Sequence, residues 1–502
     1  MELLSNLFLG FGVAFQPINL LYCFLGVLLG TVVGVLPGLG PLATIAMLLP
    51  LTFGLDPTQS LIMLAGIYYG SQYGGSTTAI LVNLPGESAS AVTTIDGYQM
   101  ARKGRAGPAL AAAALGSFFA GTVATILVAV IAKPLTAIAL SFGPAEYFSL
   151  MVVGLISSIA LASGSLVKAL AMICLGLLVG LTGTDIYTGA PRFTFGYFEL
   201  LDGIDFVALA VGIYGIGEIV RNLEGSESSR AVIAKVGSLW PSKDDLRRML
   251  APAVRGTAIG SILGVLPGGG ALLSSFVAYN VEKKASRNSA EFGHGAIEGV
   301  TAPEAANNAG AQTSFVPMLA LGIPSNVVMA LMIGAMIMQG IVPGPNVVVN
   351  NPDLFWGLIA SMWIGNAMLV ILNLPLIGLW VSLLRVPYWI MFPAIIAFCC
   401  IGVYSVSNSA FAVYTVTVAG AIGYLLIKLD CEPAPFVLGF ILGPMLEEHL
   451  RRAMLISGGD VSIFVTRPIS AVLLLVALIL LIIVSRPTIA KRRDEVFVDE
   501  EG

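Results

Sequence analysis

Apolar residues in this chain run on without alternating. In the first half such runs occupy 109–131, 145–162, 166–182 and 205–221; in the second they occupy 354–383, 388–405, 410–427, 433–446 and 468–485. Most approach the ~20 residues that carry a helix across the hydrocarbon of a bilayer. Continuous runs predict helices, because strands of a lipid-facing barrel alternate between two faces. A helix at 1–15 is either interfacial or a further crossing.

Two runs are interrupted in the same way. Gly26, Gly30, Gly34, Pro37, Gly38 and Gly40 recur as Gly256, Gly260, Gly264, Pro267, Gly268 and Gly270, every pair 230 positions apart. Proline and glycine break an apolar helix, and a broken helix duplicated in two halves marks the binding region of many secondary transporters. A second interruption follows each ladder. The run 59–95 breaks at Asn83-Leu84-Pro85-Gly86, and 304–340 breaks at Gly322-Ile323-Pro324-Ser325.

Charge orients these elements. Arg102-Lys103-Arg105, the stretch Arg221 to Arg255, Lys283-Lys284-Arg287 and the tail Arg486 to Arg493 are predicted to face the cytoplasm. The loop 183–205 carries Asp185, Glu199, Asp202 and Asp205 against one Arg192, and is predicted to lie outside. Residues 250–282 have basic residues at both ends, so they are predicted to form a re-entrant hairpin from the inside. Residues 18–56 lack them, and are predicted to enter from the outside. The expected fold is therefore an all-α polytopic membrane protein of two inverted-topology repeats. Each repeat has a re-entrant helical hairpin and a broken helix, with about 11–12 transmembrane helices in all. The expected organisation is a first repeat at 1–225, a polar cytoplasmic linker at 226–249, a second repeat at 250–466, and a final helix with its tail at 467–502. In this topology Arg451-Arg452 falls on the outside, against the charge rule.

The breaks carry the candidate chemistry. Freed backbone groups in a membrane must be satisfied by protein, water or a ligand. The half-helix after Gly40 or Gly270 offers N–H groups to a carboxylate; the one before Pro37 or Pro267 offers carbonyls to a cation. The tips Pro37, Gly38, Gly40, Pro267, Gly268 and Gly270 are therefore site candidates, whereas Gly26, Gly30 and Gly34 also fit a close-packing face. Ser71, Gly75, Ser76, Thr77 and Thr78 lead into Asn83, Pro85 and Gly86. Glu304, Asn307, Asn308, Thr313 and Ser314 lead into Pro324, Ser325 and Asn326. Such polar runs are costly in lipid, and either bond neighbouring helices or line a hydrated path. Glu304, after Pro303, reads as a helix N-terminal cap or as a cation or proton site. Glu87 follows the first Pro-Gly break. Asp96 reads as a capping residue in a cytoplasmic turn, and Lys168 as a snorkelling side chain.

Composition agrees: 57% of residues are hydrophobic and 11% charged, against roughly 25% charged in soluble domains. No basic patch with aromatics suggests nucleic acid. His294 and His449 form no HExxH motif, no phosphate-binding GxxxxGK[ST] occurs, and Gly-x-Gly strings sit in apolar helices, so no enzyme is expected. The five cysteines lack metal-ligand spacing and read as small hydrophobes. No cofactor or fixed metal is expected, beyond a coupling Na⁺ or H⁺ with Na⁺ at the hairpin tips. The start of the chain lacks the basic region of a cleavable signal peptide.

The segments GVLPGLGPLATIAMLLPLTFGLDP (34–57), YYGSQYGGSTTAILVNLPGE (68–87), DGYQMARKGRAGPAL (96–110), TAPEAANNAGAQTS (301–314), LGIPS (321–325) and PFVLGFILGPMLEEHLRRAM (435–454) resemble the large membrane subunit of tripartite tricarboxylate transporters. The resemblance implies a multi-pass permease of the bacterial inner membrane. It implies as partners a small membrane subunit of about four helices and a periplasmic solute-binding protein, with dimerisation of the heteromeric membrane unit left open. It implies uptake of di- or tricarboxylates driven by Na⁺ or H⁺. The motif positions it brings forward are the GVLPG tips, Ser71 to Thr78, Asn83 to Gly86, and Glu304 to Asn308. A passive channel or cation exchanger without an organic substrate, and an intramembrane scaffold, are the alternatives.

Overall fold

The computed structural model describes residues 2–36, 40–161, 165–224, 236–266, 270–384 and 388–485. The first half runs through α1 (Glu2–Ala14), α2 (Pro17–Val35), α3 (Pro41–Thr52), α4 (Pro57–Val82), α5 (Ala91–Arg102), α6 (Ala106–Ala139), α7 (Pro144–Leu161), α8 (Leu166–Gly180), α9 (Phe206–Ala210) and α10 (Gly217–Glu224). A π-helical turn, Val211–Ile216, joins the last two. The second half runs through α11 (Lys243–Val265), α12 (Gly270–Ala285), α13 (Glu298–Thr313), α14 (Phe315–Leu321), α15 (Val327–Met338), α16 (Asn346–Asn350), α17 (Pro352–Asn373) and α18 (Ile377–Leu383). It closes with α19 (Tyr388–Ser407), α20 (Ala410–Lys428), α21 (Pro433–Ile456), α22 (Ile463–Thr466) and α23 (Pro468–Ser485).

Local sequence sets these boundaries. Proline occupies the first turn of α2, α3, α4, α17 and α21, where its missing N–H costs nothing. Asp56 caps α4 by accepting from the Thr58 N–H at 2.9 Å. Ser242 and Asp245 form a reciprocal capping box at the start of α11. Among the described residues, α2, α6, α17 and α20 are long and apolar enough to cross a bilayer. Some other apolar runs form shorter helices, such as α8 with 15 residues, and some are divided. The run 354–383, for example, is divided between α17 and α18. At 12 residues α3 spans only ~18 Å, short of the ~30 Å of hydrocarbon. The one β element described is the two-residue ladder β1 (Gly183–Thr184) with β2 (Pro191–Arg192), in the loop predicted to lie outside.

The chain forms two compact units: residues 1–136 with 218–402, and residues 137–217 with 403–502. Each half of the sequence gives its first part to one unit and its last part to the other. The compact units therefore divide the chain differently from the boundaries at 225 and 250 expected for two repeats.

In the first unit the glycine ladders are contact surfaces between backbones. A Cβ on Gly26, Gly30 or Gly34 would lie 2.3–2.4 Å from the carbonyl oxygen of Met63, Ile67 or Ser71 on α4. A Cβ on Gly256, Gly260 or Gly264 would lie 2.3–2.4 Å from the carbonyl oxygen of Ala302, Ala306 or Gly310 on α13. The receiving residues are 239 positions apart in all three pairs. The helix after each ladder is therefore duplicated too, its register shifted by the longer connection before α13. That connection is fastened by Asp96, which lies within α5 rather than in a turn. Its carboxylate is buried and accepts from the N–H groups of Gly293, Gly295 and Ala296 at 2.7–2.9 Å and from the Tyr279 hydroxyl at 2.9 Å.

The second unit uses the same close approach. A Cβ on Gly176 or Gly180 of α8 would collide with the carbonyl oxygen of Phe436 or Phe440 on α21. Lys168 reaches the Leu429 carbonyl at 2.7 Å, in keeping with its snorkelling assignment.

Candidate functional site

Both breaks are built from the same parts. α4 ends at Asn83 with φ 58°, and α14 ends at Gly322 with φ 73°. A left-handed residue turns the chain off the helix axis, and the proline two positions on (Pro85, Pro324) prevents the helix from resuming. The next equivalent pair, Glu87 and Asn326, caps the following helical segment in each copy. Glu87 caps the short 3₁₀ turn Ser88–Ser90, while Asn326 accepts from the Met329 N–H at 3.0 Å to cap α15.

The copies then reach across to each other. Asn307 on α13 donates to Glu87 Oε1 at 3.0 Å. Exchanging the copies, by the same 239-residue offset, turns Asn307 into Tyr68 and Glu87 into Asn326. The Tyr68 hydroxyl faces the side chains of Asn326 and Ser314. The approach is thus repeated in each direction, as a hydrogen bond at Glu87 and as the nearness of the Tyr68 hydroxyl to Asn326. Gln72, with its amide nitrogen turned toward the acceptors, donates to Glu87 Oε2 at 2.9 Å and Asn307 Oδ1 at 2.8 Å. Asn326 donates to Ser314 Oγ at 3.1 Å, and Ser325 donates to the Ser314 carbonyl at 3.2 Å.

Hydroxyls take up the carbonyls at the ends of the ladder helices α2 and α11. Thr78 donates to the Val35 carbonyl at 2.8 Å, and Ser314 lies 3.4 Å from the Gly264 carbonyl while donating to Gly310 at 2.6 Å. Gly40 begins α3 in an extended conformation with no side-chain cap and nothing within 4 Å of where a Cβ would stand. Gly270 opens α12 at φ 55°, beside Asn326. The candidates Pro37, Gly38, Pro267 and Gly268 lie outside the described residues.

Glu304 departs from one of its expected roles. It sits in the middle of α13, not at a helix start, because Pro303 is accommodated within the helix. Its carboxylate is fully buried and meets the hydroxyls of Ser76, at 2.6 Å, and Thr93. Ser76, Thr77, Tyr73, Ser117 and Asn373 line a cavity of ≈ 10 Å³, room for about one water.

The remaining candidates divide. Gly75 and Gly86 are part of the Glu87 cluster: a Cβ on Gly75 would stand 2.8 Å from Glu87 Cγ, and one on Gly86 would stand 2.6 Å from the Gly75 Cα. Ser71 and Thr313 spend their hydroxyls on backbone carbonyls one turn back within their own helices. Asn308 faces α6, donating to Ser117 Oγ at 2.7 Å. Asn83 and Pro85 are exposed, whereas Pro324 and Ser325 are buried. The site candidates do not include Tyr68, Thr93 and Ser117. Tyr68 stands at the offset of Asn307, but that offset emerges only from the packing of the ladders; Thr93 and Ser117 carry no sequence signal either.

Outside this region, a charge cluster organises the acidic loop of the second unit. Arg192 pairs with Glu447 at 2.9 Å and Asp185 at 3.5 Å, and Arg451 pairs with Glu447 at 2.6 Å and Asp185 at 3.1 Å. The Tyr187 backbone N–H, with Arg451 and Arg192, draws the Asp185 carboxyl down to about 2. Arg451 therefore belongs to the same end of this unit as the loop 183–205, with acidic partners to match. Among the described residues no group of three or more His, Cys, Asp or Glu could hold a metal ion.

Comparison with known proteins supplies a relationship. A family model described as the tripartite tricarboxylate transporter TctA family matches residues 20–438. The "Uncharacterized 52.8 kDa protein in TAR-I ttuC' 3'region" of Agrobacterium vitis is 63% identical over 501 residues, covering the whole of both chains. The "Uncharacterized protein in TAR-II ttuC' 3'region" of the same organism is 62% identical over 242 residues, which is 48% of this chain and all of that protein. No solved structure matches the chain.

Proposed function

The chain belongs to the tripartite tricarboxylate transporter TctA family, and from that premise we propose that it is a secondary-active permease subunit for di- or tricarboxylates. In this reading the two halves are inverted-topology repeats in a bacterial inner membrane. A periplasmic binding protein delivers the substrate, a small membrane subunit completes the translocating unit, and a Na⁺ or H⁺ gradient drives uptake. The observation that carries it is the reciprocal crossing of polar side chains at the duplicated break: Asn307 to Glu87 in one direction, Tyr68 to Asn326 in the other. Buried polar groups converging where two broken helices meet are what alternating access between repeats requires.

The substrate site in this proposal is the region between the two breaks and the hairpin tips. The open N-terminus of α3 after Gly40 offers uncapped N–H groups to a carboxylate without a basic side chain. Asn326, Ser314 and Ser325 supply polar contacts near the second tip. An elevator or rocking motion of the hairpins would expose this region to each side in turn.

The test is uptake into proteoliposomes containing the full chain and the small membrane subunit, with the periplasmic solute-binding protein supplied outside. Citrate, succinate and related acids are offered under imposed Na⁺ or H⁺ gradients. Gradient-driven accumulation of a carboxylate is expected. Flux that only equilibrates indicates a passive channel, and absence of any carboxylate flux leaves a scaffold as the better reading.

A further inference from the structure

We propose that Glu304 carries a coupling proton, an inference that rests on the transport reading above and assigns its driving ion to H⁺. The first unit buries two carboxyl groups near the crossing, and their partners differ in kind. Glu87 is surrounded by N–H donors: the amides of Asn307 and Gln72 and the backbone N–H groups of Ala89 and Ser90. The Asn307 amide and the backbone N–H groups donate to it, which favours the carboxylate there. Glu304 meets only hydroxyls, from Ser76 and Thr93. A hydroxyl donates or accepts, so this site suits both the ionised and the protonated acid.

Ser76 makes the two states concrete. Its single hydrogen has two acceptors in reach, Glu304 Oε2 at 2.6 Å and the Gln72 carbonyl at 3.0 Å. With Glu304 ionised, the hydrogen points to the carboxylate. With Glu304 protonated, the acid donates to Ser76 and the hydroxyl turns to Gln72. Neither state leaves a buried group unpaired, and neither needs the backbone to move.

Among the described residues no fixed positive charge holds Glu304 ionised. On α11, Arg248 is engaged by Glu291 and Glu298, and Arg255 by Glu282 of α12. On α5, Asp96 is taken up by Tyr279 of α12 and the backbone of 293–296. On α4, the Tyr73 hydroxyl donates to Asn366 of α17 at 2.6 Å. The remaining ionisable group facing Glu304 is Glu87, before α5, which carries the same sign of charge. A buried carboxyl without a cation is neutralised most simply by a proton. The small cavity is reached through Ser76, which bonds the Glu304 carboxyl and is part of the cavity lining together with Ser117. A proton arriving from that side would reach the Glu304 carboxyl through the Ser76 hydroxyl, which gives its hydrogen to the acid as it receives another.

The link to substrate follows from position. Asn307 lies three residues after Glu304 on α13, and Gln72 one turn before Ser76 on α4; both bind Glu87. With both glutamates ionised, the crossing repels an incoming carboxylate. Loading Glu304 removes one negative charge, so proton and substrate favour each other's binding.

The test uses the full chain with its small membrane subunit in proteoliposomes holding a luminal pH dye, with the periplasmic solute-binding protein supplied outside. Succinate is the probe, at a pH where it is fully ionised. The wild type is expected to acidify the lumen as succinate enters, without Na⁺. In Glu304→Gln, proton-driven accumulation is expected to fall by about tenfold or more, and the remaining uptake to lose its pH dependence. Wild-type uptake that requires Na⁺ and brings in no protons overturns the inference and leaves the transport reading standing; absence of any carboxylate flux overturns both. Proton entry per succinate equal to wild type in Glu304→Gln also overturns the inference. If that variant is not recovered in membranes, Ser76→Ala decides, because it keeps the carboxyl and removes one partner. The pH midpoint of uptake is expected to move by about half a unit or more, and an unmoved midpoint is the contrary result.

Discussion

The two copies of the broken helix share a frame and differ in what they expose. In the first, Asn83, Leu84 and Pro85 are open at the surface. In the second, Gly322 to Ser325 are buried, with the carbonyl of Pro343 and the backbone of Gly344 packed over Gly322. The first copy places tyrosine and glutamate where the second places two asparagines, at 68 and 87 against 307 and 326. Backbone contacts therefore persist across the duplication while the polar pairs diverge. The frame is held by constraints that almost any side chain violates, whereas the polar positions can change if each new pair stays satisfied.

The sharpest way to break this frame is to separate its backbones. Gly30→Leu or Gly260→Leu should abolish recovery of folded protein in detergent, because the side chain would start 2.3–2.4 Å from a carbonyl oxygen. Equal loss in both copies is expected; survival of one variant would show that the two frames are not equivalent. Asp96→Ala should cost about 3 kcal/mol in thermal or denaturant melting, since three backbone donors and a tyrosine lose a charged acceptor. A double-mutant cycle of Asn307→Ala with Glu87→Gln, and another of Tyr68→Phe with Asn326→Ala, should each give a coupling of about 1 kcal/mol. Coupling in one cycle alone would mean the reciprocal contact has kept its energy in one direction only. Gly40→Ala should change stability by less than about 0.5 kcal/mol, because nothing stands within 4 Å of the added carbon.

The charge cluster of the second unit gives the mildest response. Asp185 lies at about 2 against an ordinary 3.8, so its contribution is complete above the ordinary value and is lost as pH falls through the lower one. Hydrogen exchange in the loop 183–205, corrected for intrinsic rates, should stay level from neutral pH down to about pH 4 and rise below it.

Much of this architecture was legible in the residues. Glycines at four-residue spacing, then a proline, announce close helices and a break, and Gly26 to Gly40 recur without a gap. The breaks at 83–86 and 322–325 were visible for the same reason, since proline and left-handed residues act locally. What escaped reading depended on distant partners. The 239-residue register is hidden by the longer connection at 286–297, so Tyr68 resembles any aromatic in an apolar helix until its partner at 326 is known. Asp96 resembles a turn residue because the N–H groups it binds lie some two hundred positions away. Glu304 resembles a cap because Pro303 commonly starts helices, and here it does not. Division of the chain into interleaved units depends on long-range packing that no local pattern records.

The glycine ladders carry a mechanical consequence. Where α2 lies on α4 and α11 on α13, main chain touches main chain along three successive turns, leaving no interdigitated side chains to repack and no gap for lipid or water. Each pair behaves as a splint: sliding by less than a full turn would drive carbonyl oxygens into Cα atoms. Deformation during a transport cycle is thereby confined to joints outside the splints, and each broken helix keeps its alignment with the arm beside it throughout.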